Sequence, residues 1–225
     1  MRAPPPQEIT LPLQEVELPG DLTPPARGRG IVVFAHGSGS GRQSPRNRYV
    51  SYRLAQEGFG TLLFDLLTPA EDLTPRKRFD IPLLARRLGE VVRWMQRSGL
   101  GENGIGLFGA STGSAAALIT AASLPHDIRG VVSRGGRPDL AHGELPRVLA
   151  PTLLIVGGED HGVIELNESA YGALTCERDL RLVPGASHLF EEPGALEQVA
   201  NLAIEWFERY LTAPTHAVPA AHSQL

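Results

Sequence analysis

Short apolar runs alternate with longer stretches of helical pattern along most of the chain. The apolar runs have strand length, as expected of parallel strands that are covered on both faces. They lie at 31–35, 61–65, 105–108, 130–133, 152–156 and 180–183. Helices are predicted between them at 45–56, 81–97, 114–124, 164–174 and 193–211. This alternation predicts an α/β fold with a doubly wound, mostly parallel sheet, helices on both faces and little or no cap.

The two ends of the chain depart from this pattern. Residues 9–18 alternate apolar and polar side chains, which predicts an edge strand or a hairpin, and Pro12 argues against a central position. Residues 1–8 are rich in proline and are expected to fray. Residues 213–225 are small and polar and are expected to form a disordered tail. We therefore predict one domain over residues 1–212.

Composition narrows the functional classes. The 225 residues are 42% hydrophobic, which is enough for a sizeable core, and the formal net charge of −4 gives no reason to expect nucleic acid or an anionic membrane as partner. Cys176 is the only cysteine, so an intrachain disulfide is impossible and a reducing compartment is expected. The first residues contain no apolar core of signal-peptide length, and no segment approaches the length of a membrane span. We expect a soluble, cytoplasmic protein.

A five-residue turn joins the strand at 105–108 to the following helix. Its sequence is Gly109-Ala110-Ser111-Thr112-Gly113, the G-x-S-x-G pattern that raises a nucleophilic serine above the edge of a sheet. Such a turn holds the serine in an unfavourable backbone conformation, which costs about 1–3 kcal/mol and is kept mainly where function needs it. The two glycines fit because side chains there would collide where strand and helix cross. Ser111 is therefore the candidate nucleophile.

Two further polar residues follow the last two predicted strands. A serine hydroxyl needs a base that is itself oriented by a third group, and the chain order serine, acid, histidine is one known arrangement. Asp160 is the candidate acid and His188 the candidate base. Glu159 is the rival acid, whereas His161 is poorly placed as a base because it adjoins Asp160.

The glycine-rich loop after the strand at 31–35 is predicted to help bind an oxyanion. Donors must already point at the charge that develops in acyl transfer. One is expected to be the backbone N–H of Thr112, at the start of a helix. The other is expected to be the N–H of Ser38, with Gly37 or Gly39 as alternatives. His36 is interpreted as a structural hydrogen-bonding residue rather than a second base.

Three residues are candidates for substrate binding: Gly37, Arg42 and Arg134. Arg134 directly follows a strand, so it could hold a substrate carboxylate; the alternative is that it braces neighbouring loops through backbone carbonyls. The loop at 37–42 lacks the Gly-Lys-Ser/Thr of a phosphate-binding P-loop, so anion binding there is a minor alternative. The G-x-G-x-x-G at 104–109 contains a strand instead of following one, which argues against a dinucleotide. No Cys/His cluster has metal-ligand spacing, and no metal is expected.

With these motifs the chain resembles the α/β-hydrolase superfamily, most closely the dienelactone hydrolase family and its small esterase relatives. The resemblance covers about residues 31–210 and rests on HGSGSGR, TLLFDLLTP, GASTG, VVSRGGRPDLA, GGEDHGV and GASHLFEEPG. It implies an α/β-hydrolase fold, catalysis without a cofactor, and the roles of nucleophile, acid and base for Ser111, Asp160 and His188. Some relatives with this pattern are fused to a phosphoribosyltransferase-like domain, so the resemblance does not identify a substrate.

One position departs from that family. Dienelactone hydrolases proper have cysteine in the middle of the turn, where this chain has Ser111. We therefore predict a serine carboxylesterase that forms an acyl-enzyme on short-chain or small soluble esters. Thioesterase, lactonase and dienelactone hydrolase-like activities use the same groups and stay open. A catalytically silent ligand-binding fold is the alternative from another class. The expected partner is a small-molecule ester, and the chain is expected to be a monomer or a homodimer.

Overall fold

A computed structural model describes residues 3–212, so the predicted tail at 213–225 lies outside the described residues. The strands are β1 (Gln7–Pro12), β2 (Glu17–Thr23), β3 (Ile31–Ala35), β4 (Gly60–Phe64), β5 (Ile105–Ala110), β6 (Ile128–Arg134), β7 (Thr152–Gly157) and β8 (Arg178–Val183). The α-helices are α1 (Pro45–Gln56), α2 (Pro69–Asp72), α3 (Pro75–Arg78), α4 (Ile81–Arg97), α5 (Thr112–Ser123), α6 (His161–Ala173) and α7 (Ala195–Tyr210). A 3₁₀ helix spans Pro138–Arg147.

All eight strands form one sheet in the order β1-β2-β4-β3-β5-β6-β7-β8. The six strands from β4 to β8 pair in parallel, and β1 and β2 add an antiparallel edge. The predicted doubly wound, mostly parallel α/β fold is thereby confirmed.

The N-terminal segment forms a hairpin, one of the two forms that its alternation predicts. The Leu13 N–H donates to the Val16 carbonyl oxygen at 3.0 Å and closes the turn between β1 and β2. β1 begins at Gln7, so pairing starts within the segment that was expected to fray. β2 runs on to Thr23 because its last four residues pair with β4, a contact that local sequence does not reveal.

The central strands are buried on both faces, which explains why they are apolar throughout. In β3, Val32 and Phe34 point into the cluster beneath α1 and α7, whereas Ile31, Val33 and Ala35 point into the cluster beneath α4 and α5. Strand side chains alternate between faces, so only a continuous apolar run can serve both clusters. No α-helix within residues 3–212 combines the length and hydrophobicity needed to cross a membrane.

The strand order places a crevice between β3 and β5. The chain leaves β3 toward β4 on one side and returns to β5 on the other, so the loops after these two strands diverge. Ligands bind at such a switch point, outside the carboxyl ends of the strands. The glycine-rich loop and the turn of Ser111 flank this crevice.

A buried ion pair fixes the segment between β4 and α4. Arg87 on α4 is 2% exposed and makes two hydrogen bonds to the Glu71 carboxylate, at 2.7 and 2.9 Å. Glu71 also caps α2 by accepting from the Thr68 N–H at 3.0 Å. The Arg87 guanidinium in particular holds the pKa of Glu71 well below its usual range. The segment thus consists of two short helices anchored to the domain.

Candidate active site

Ser111 is the single residue between β5 and α5, and its backbone is strained. Its φ of 50° and ψ of −124° lie in a region that residues with a side chain rarely adopt. Strain of this kind costs about 1–3 kcal/mol and needs compensation from its surroundings. The sharp turn predicted from G-x-S-x-G is present.

Hydrogen bonds to the Ser111 backbone supply that compensation. Its carbonyl oxygen accepts from the Ser114 N–H at 3.1 Å, the Ser114 hydroxyl at 2.6 Å and the Arg137 N–H at 3.1 Å. Its own N–H donates to the Arg134 carbonyl oxygen at 3.2 Å. The turn is therefore held from both the helix side and the neighbouring strand β6.

The two glycines of the turn are required by close backbone approach. A Cβ atom on Gly109 would collide with the backbone of Ser114, and one on Gly113 would collide with the carbonyl oxygens of Ala35 and His36. The sequence-based reason for glycine at both positions thus matches the packing of α5 against β5 and the end of β3.

Asp160 and His188 form a hydrogen-bonded pair at the carboxyl edge of the sheet. Asp160 follows β7, His188 follows β8, and Asp160 Oδ2 lies 2.6 Å from His188 Nδ1. The Asp160 side chain is 16% exposed and that of His188 is 39% exposed. Glu159 points elsewhere, 4.0 Å from His161 Nε2, and both of those side chains are exposed. The structure favours Asp160 over its rival.

Ser111 and His188 line one small cavity of about 150 Å³, together with Gly37, Asn47 and Arg134. No hydrogen bond joins the Ser111 hydroxyl to His188 within residues 3–212. In ligand-free enzymes this bond is often long and tightens only in the substrate complex. The free ring nitrogen of His188, Nε2, is the atom available for it, because Nδ1 faces Asp160.

The predicted oxyanion donor Ser38 has another partner in this structure. Its N–H donates to Thr112 Oγ1 at 2.8 Å and is not free. Gly37 lies directly beside the nucleophile, because a Cβ atom there would be 3.0 Å from Ser111 Cβ. The Ser38 N–H is thus occupied in this structure, and the roles of Ser38 in oxyanion binding and of Gly37 in substrate binding stay predictions. As the first residue of α5, Thr112 has an N–H without an intrahelical acceptor.

Both ring nitrogens of His36 are hydrogen-bonded, which agrees with its interpretation from sequence as a structural residue. Its Nδ1–H donates to the Gly37 carbonyl oxygen at 3.0 Å, and its Nε2 accepts from the Leu66 N–H at 3.0 Å. These partners assign the neutral tautomer. Burial lowers the pKa of His36, which favours the same neutral form.

Arg42 does not line the cavity of Ser111, which argues against its predicted role in substrate binding. Its guanidinium contacts Asp21 at 2.5 Å and Glu8 at 3.0 Å. Its backbone N–H also donates to Asp65 Oδ1 at 2.7 Å. These carboxylates come from β1, β2 and the end of β4, and sequence alone does not show that they converge. Arg42 ties the hairpin to the glycine-rich loop.

Arg134 lies in the cavity and is 7% exposed. Its single side-chain hydrogen bond within residues 3–212 goes to Asn47 Oδ1 at 3.4 Å, and its Nε has no acceptor there. The expected alternative, bracing of loops through carbonyl oxygens, is absent among these contacts. Burial first, and then the nearby Arg46, lower the pKa of Arg134 to about 10.

Arg46 and Asn47 are site residues that sequence reasoning missed. Both lie in the first turn of α1 and line the cavity of Ser111. Arg46 belongs to a short basic cluster after the glycine-rich loop, which is the one signal that could have indicated it. In the described part of the chain, no group of three or more His, Cys, Asp or Glu side chains is arranged to hold a metal ion.

Comparison with known proteins gives similar sequences and folds. The chain is 53% identical to a dienelactone hydrolase of Anabaena variabilis, with a TM-score of 0.88, over 92% of this chain and 100% of that structure. Est1E of Butyrivibrio proteoclasticus has a TM-score of 0.77 at 14% identity, over 90% and 98% of the two chains, which shows the fold alone. No protein-family model matches.

Curated relatives come from two strains of Mycobacterium tuberculosis, H37Rv and CDC 1551. Each is 54% identical over 209 residues, which cover 92% of this chain and 47% of the relative. Both are provisionally named phosphoribosyl transferases. The chain thus spans about half the length of the curated relatives that it matches.

Proposed function

The chain belongs to the dienelactone hydrolase-like branch of the α/β-hydrolases, and on that premise we propose that it is a serine hydrolase that cleaves small carboxylic esters. The observation that carries this proposal is the Asp160–His188 hydrogen bond of 2.6 Å beside a strained Ser111 in one cavity. Nucleophile, base and orienting acid come from three separate strand ends, which supports a catalytic rather than a packing role.

In the proposed mechanism Ser111 attacks the ester carbonyl while His188 Nε2 accepts the hydroxyl proton. His188 then gives this proton to the departing alcohol, and the acyl group stays on Ser111. Asp160 keeps Nδ1 protonated, so that Nε2 carries the lone pair, and it stabilises the imidazolium as it forms. Water next attacks the acyl-enzyme with His188 again as base, which releases the acid and restores Ser111.

The oxyanion is proposed to bind at the N-terminus of α5. The Thr112 N–H supplies one donor, and the helix dipole adds favourable potential there. The second donor comes from the loop at 37–39. In the free protein the Ser38 N–H donates to Thr112 Oγ1 at 2.8 Å. If Ser38 is the second donor, its N–H leaves Thr112 Oγ1 and donates to the developing oxyanion instead.

The dimensions of the cavity support small substrates. Its volume of about 150 Å³ is below the roughly 300–1,000 Å³ of pockets that enclose drug-sized ligands. We expect acyl groups of a few carbons to fit, whereas longer chains extend into solvent. Thioesters, lactones and dienelactones present the same carbonyl chemistry to the three residues, and comparative kinetics is needed to rank them.

The test measures hydrolysis of p-nitrophenyl acetate and butyrate by the wild type and by Ser111→Ala. We expect kcat to fall by about 10⁴–10⁶ in the variant, as in other triad enzymes. Ser98→Ala is the matched control, because that hydroxyl caps the exposed end of α4 and donates to the Trp94 carbonyl oxygen. A fluorophosphonate probe should label the wild type and Ser98→Ala only. An unlabelled wild type, or hydrolysis that survives Ser111→Ala, would refute the serine mechanism.

A further inference from the structure

The cavity of Ser111 contains a buried positive charge that has no carboxylate partner among the described residues. Arg134 is 7% exposed, and within the described part of the chain its guanidinium bonds only the neutral amide of Asn47, at 3.4 Å, while its Nε has no acceptor. The Phe190 ring, 5.8 Å from the guanidinium carbon, covers one side. A buried charge is costly unless it is paired and fully hydrogen-bonded. The protein therefore keeps a guanidinium beside the nucleophile at a cost to stability.

A second arginine increases this positive charge. Arg46 lines the same cavity and lies close enough to Arg134 to lower its pKa by repulsion. Among residues 3–212 the buried Nε of Arg46 has no acceptor, and the one carboxylate partner of its guanidinium is Glu191, at 3.3 Å, which is 65% exposed. Solvent screens so exposed a pair, and it offsets little of the charge.

The N-terminus of α1 adds to the positive potential of the cavity. This twelve-residue helix has Ser44 as its N-cap, Pro45 at its first position and no acidic residue in its first turn. Arg46 therefore lies at the positive end of a helix dipole, where a cation is unfavourable and an anion is favoured. Ser44 and Arg46 also line an adjoining groove of about 630 Å³, so Arg46 lies between the two spaces.

We propose that this cavity binds a phosphate group on the substrate of Ser111, with Arg134 and Arg46 as its main ligands. The proposal rests on the proposed function, because it places the phosphate on an ester that Ser111 cleaves. A phosphate monoester carries a charge of about −1.5 to −2 and presents three terminal oxygens. Its oxygens can accept hydrogen bonds from both guanidinium groups and from the helix N-terminus at once. The two oxygens of one carboxylate, by contrast, are both used in a bidentate pair with a single arginine.

The first test compares three esters that differ only at the far end of the acyl chain. They are 4-nitrophenyl butyrate, which is neutral, mono-4-nitrophenyl succinate, with one carboxylate, and 4-nitrophenyl 3-phosphonopropanoate, with a phosphonate. After subtraction of the uncatalysed rates, we expect kcat/KM to be highest for the phosphonate and about 100-fold above that for butyrate. Equal values for butyrate and the phosphonate would overturn the proposal, and so would a higher value for the succinate.

Variants test whether the two arginines produce this preference. Arg134→Met and Arg46→Met should each bring the phosphonate-to-butyrate ratio of kcat/KM close to one, and Arg134→Lys should lower it less. Arg48→Met removes an exposed charge from the same helix, outside the cavity, and should keep the wild-type ratio. If Arg134→Met does not fold, Arg46→Met and the comparison of the three esters with the wild type still test the proposal. A wild-type ratio in Arg46→Met would contradict the assignment.

Equilibrium binding separates this proposal from the proposed function. Calorimetry with 3-phosphonopropanoate on Ser111→Ala requires no hydrolysis, and adding Arg46→Met should weaken the binding at least tenfold. Hydrolysis of all three esters without charge preference would overturn the phosphate site and leave the esterase proposal intact. Binding that depends on Arg46, in a protein that hydrolyses none of the esters, would refute the esterase proposal and support the anion site.

Discussion

Asp160→Asn removes the negative charge that faces His188 while keeping nearly the same side-chain shape. The wild-type carboxylate lies 2.6 Å from His188 Nδ1 and is 16% exposed. Asparagine can present its NH₂ group to Nδ1, which would move the ring proton to Nε2. In that tautomer the histidine cannot accept the proton of Ser111, so both charge and orientation are lost.

The size of the effect follows from the separation of the two charges. An N···O distance of 2.6 Å places the centres of the carboxylate and the imidazolium about 4 Å apart, where their attraction at an effective dielectric of 20 is about 4 kcal/mol. The imidazolium exists only along the reaction path, so this attraction lowers the barrier and is worth about 10³ in rate. With the unfavourable tautomer added, we expect kcat to fall by 10³–10⁴, close to the value of about 10⁴ for the same change in serine proteases.

The assay is steady-state hydrolysis of p-nitrophenyl acetate, with thermal unfolding to show that each variant is folded. Glu159→Gln is the matched control, because it removes a carboxylate one residue away that is 64% exposed and faces His161. This control should retain activity within about twofold. Equal losses in the two variants, or a larger loss in Glu159→Gln, would refute the assignment of Asp160.

Four further predictions follow from the same structure. Gly113→Ala should lower the melting temperature strongly, because its Cβ would collide with backbone carbonyl oxygens after β3, whereas Gly162→Ala, with open space around it, should not. Glu71→Gln should destabilise the protein in urea unfolding at pH 7, and by a smaller amount near pH 3, where the contribution is only partly lost because the pKa of Glu71 in the folded protein lies far below its unfolded value. Arg87 depresses the pKa of Glu71, so the stabilising contribution is present above the unfolded pKa of about 4.3 and is lost as pH falls; an equal difference at both pH values would contradict this. Cys176 should react slowly with iodoacetamide, because burial raises the pKa of its thiol, and its modification should spare esterase activity, since it lies at the amino-terminal end of β7, near Thr152. Activity on p-nitrophenyl esters should fall as the acyl chain lengthens beyond about eight carbons, and a steady rise would contradict the small cavity.

The N-terminal hairpin, Arg42 and Arg134 show which features the sequence could predict and which it could not. Alternation at 9–18 allowed an edge strand or a hairpin, and only pairing with β4 extended β2 to Thr23. Arg42 follows a glycine-rich loop and Arg134 follows a predicted strand. Both positions are typical of substrate-binding residues, so the sequence offered no reason to assign the two arginines different roles. In three dimensions Arg42 meets carboxylates from β1 and β2, whereas Arg134 meets none among the described residues.

The sequence by itself determined the candidate nucleophile and the fold that presents it. The constraints on Ser111 are local: an apolar strand, a turn whose two glycines allow close packing, and a helix directly after it. Continuous apolar runs similarly determined a sheet covered on both faces, because side-chain direction in a strand depends only on position along the chain. Asp160 and His188 were predictable because parallel strands end at the same edge of a sheet.

Only the tertiary structure decided which of these groups touch. It paired His188 with Asp160 and not Glu159, gave the Ser38 N–H to Thr112 Oγ1, and brought Arg46 beside Arg134. Each of these contacts joins segments that are distant along the chain, over distances of a few ångströms. Hydrogen bonds and charge repulsion depend steeply on such distances, and no spacing in the sequence encodes them. The candidate nucleophile was therefore predictable from the sequence, whereas the proposed anion site depends on side chains that only folding brings together.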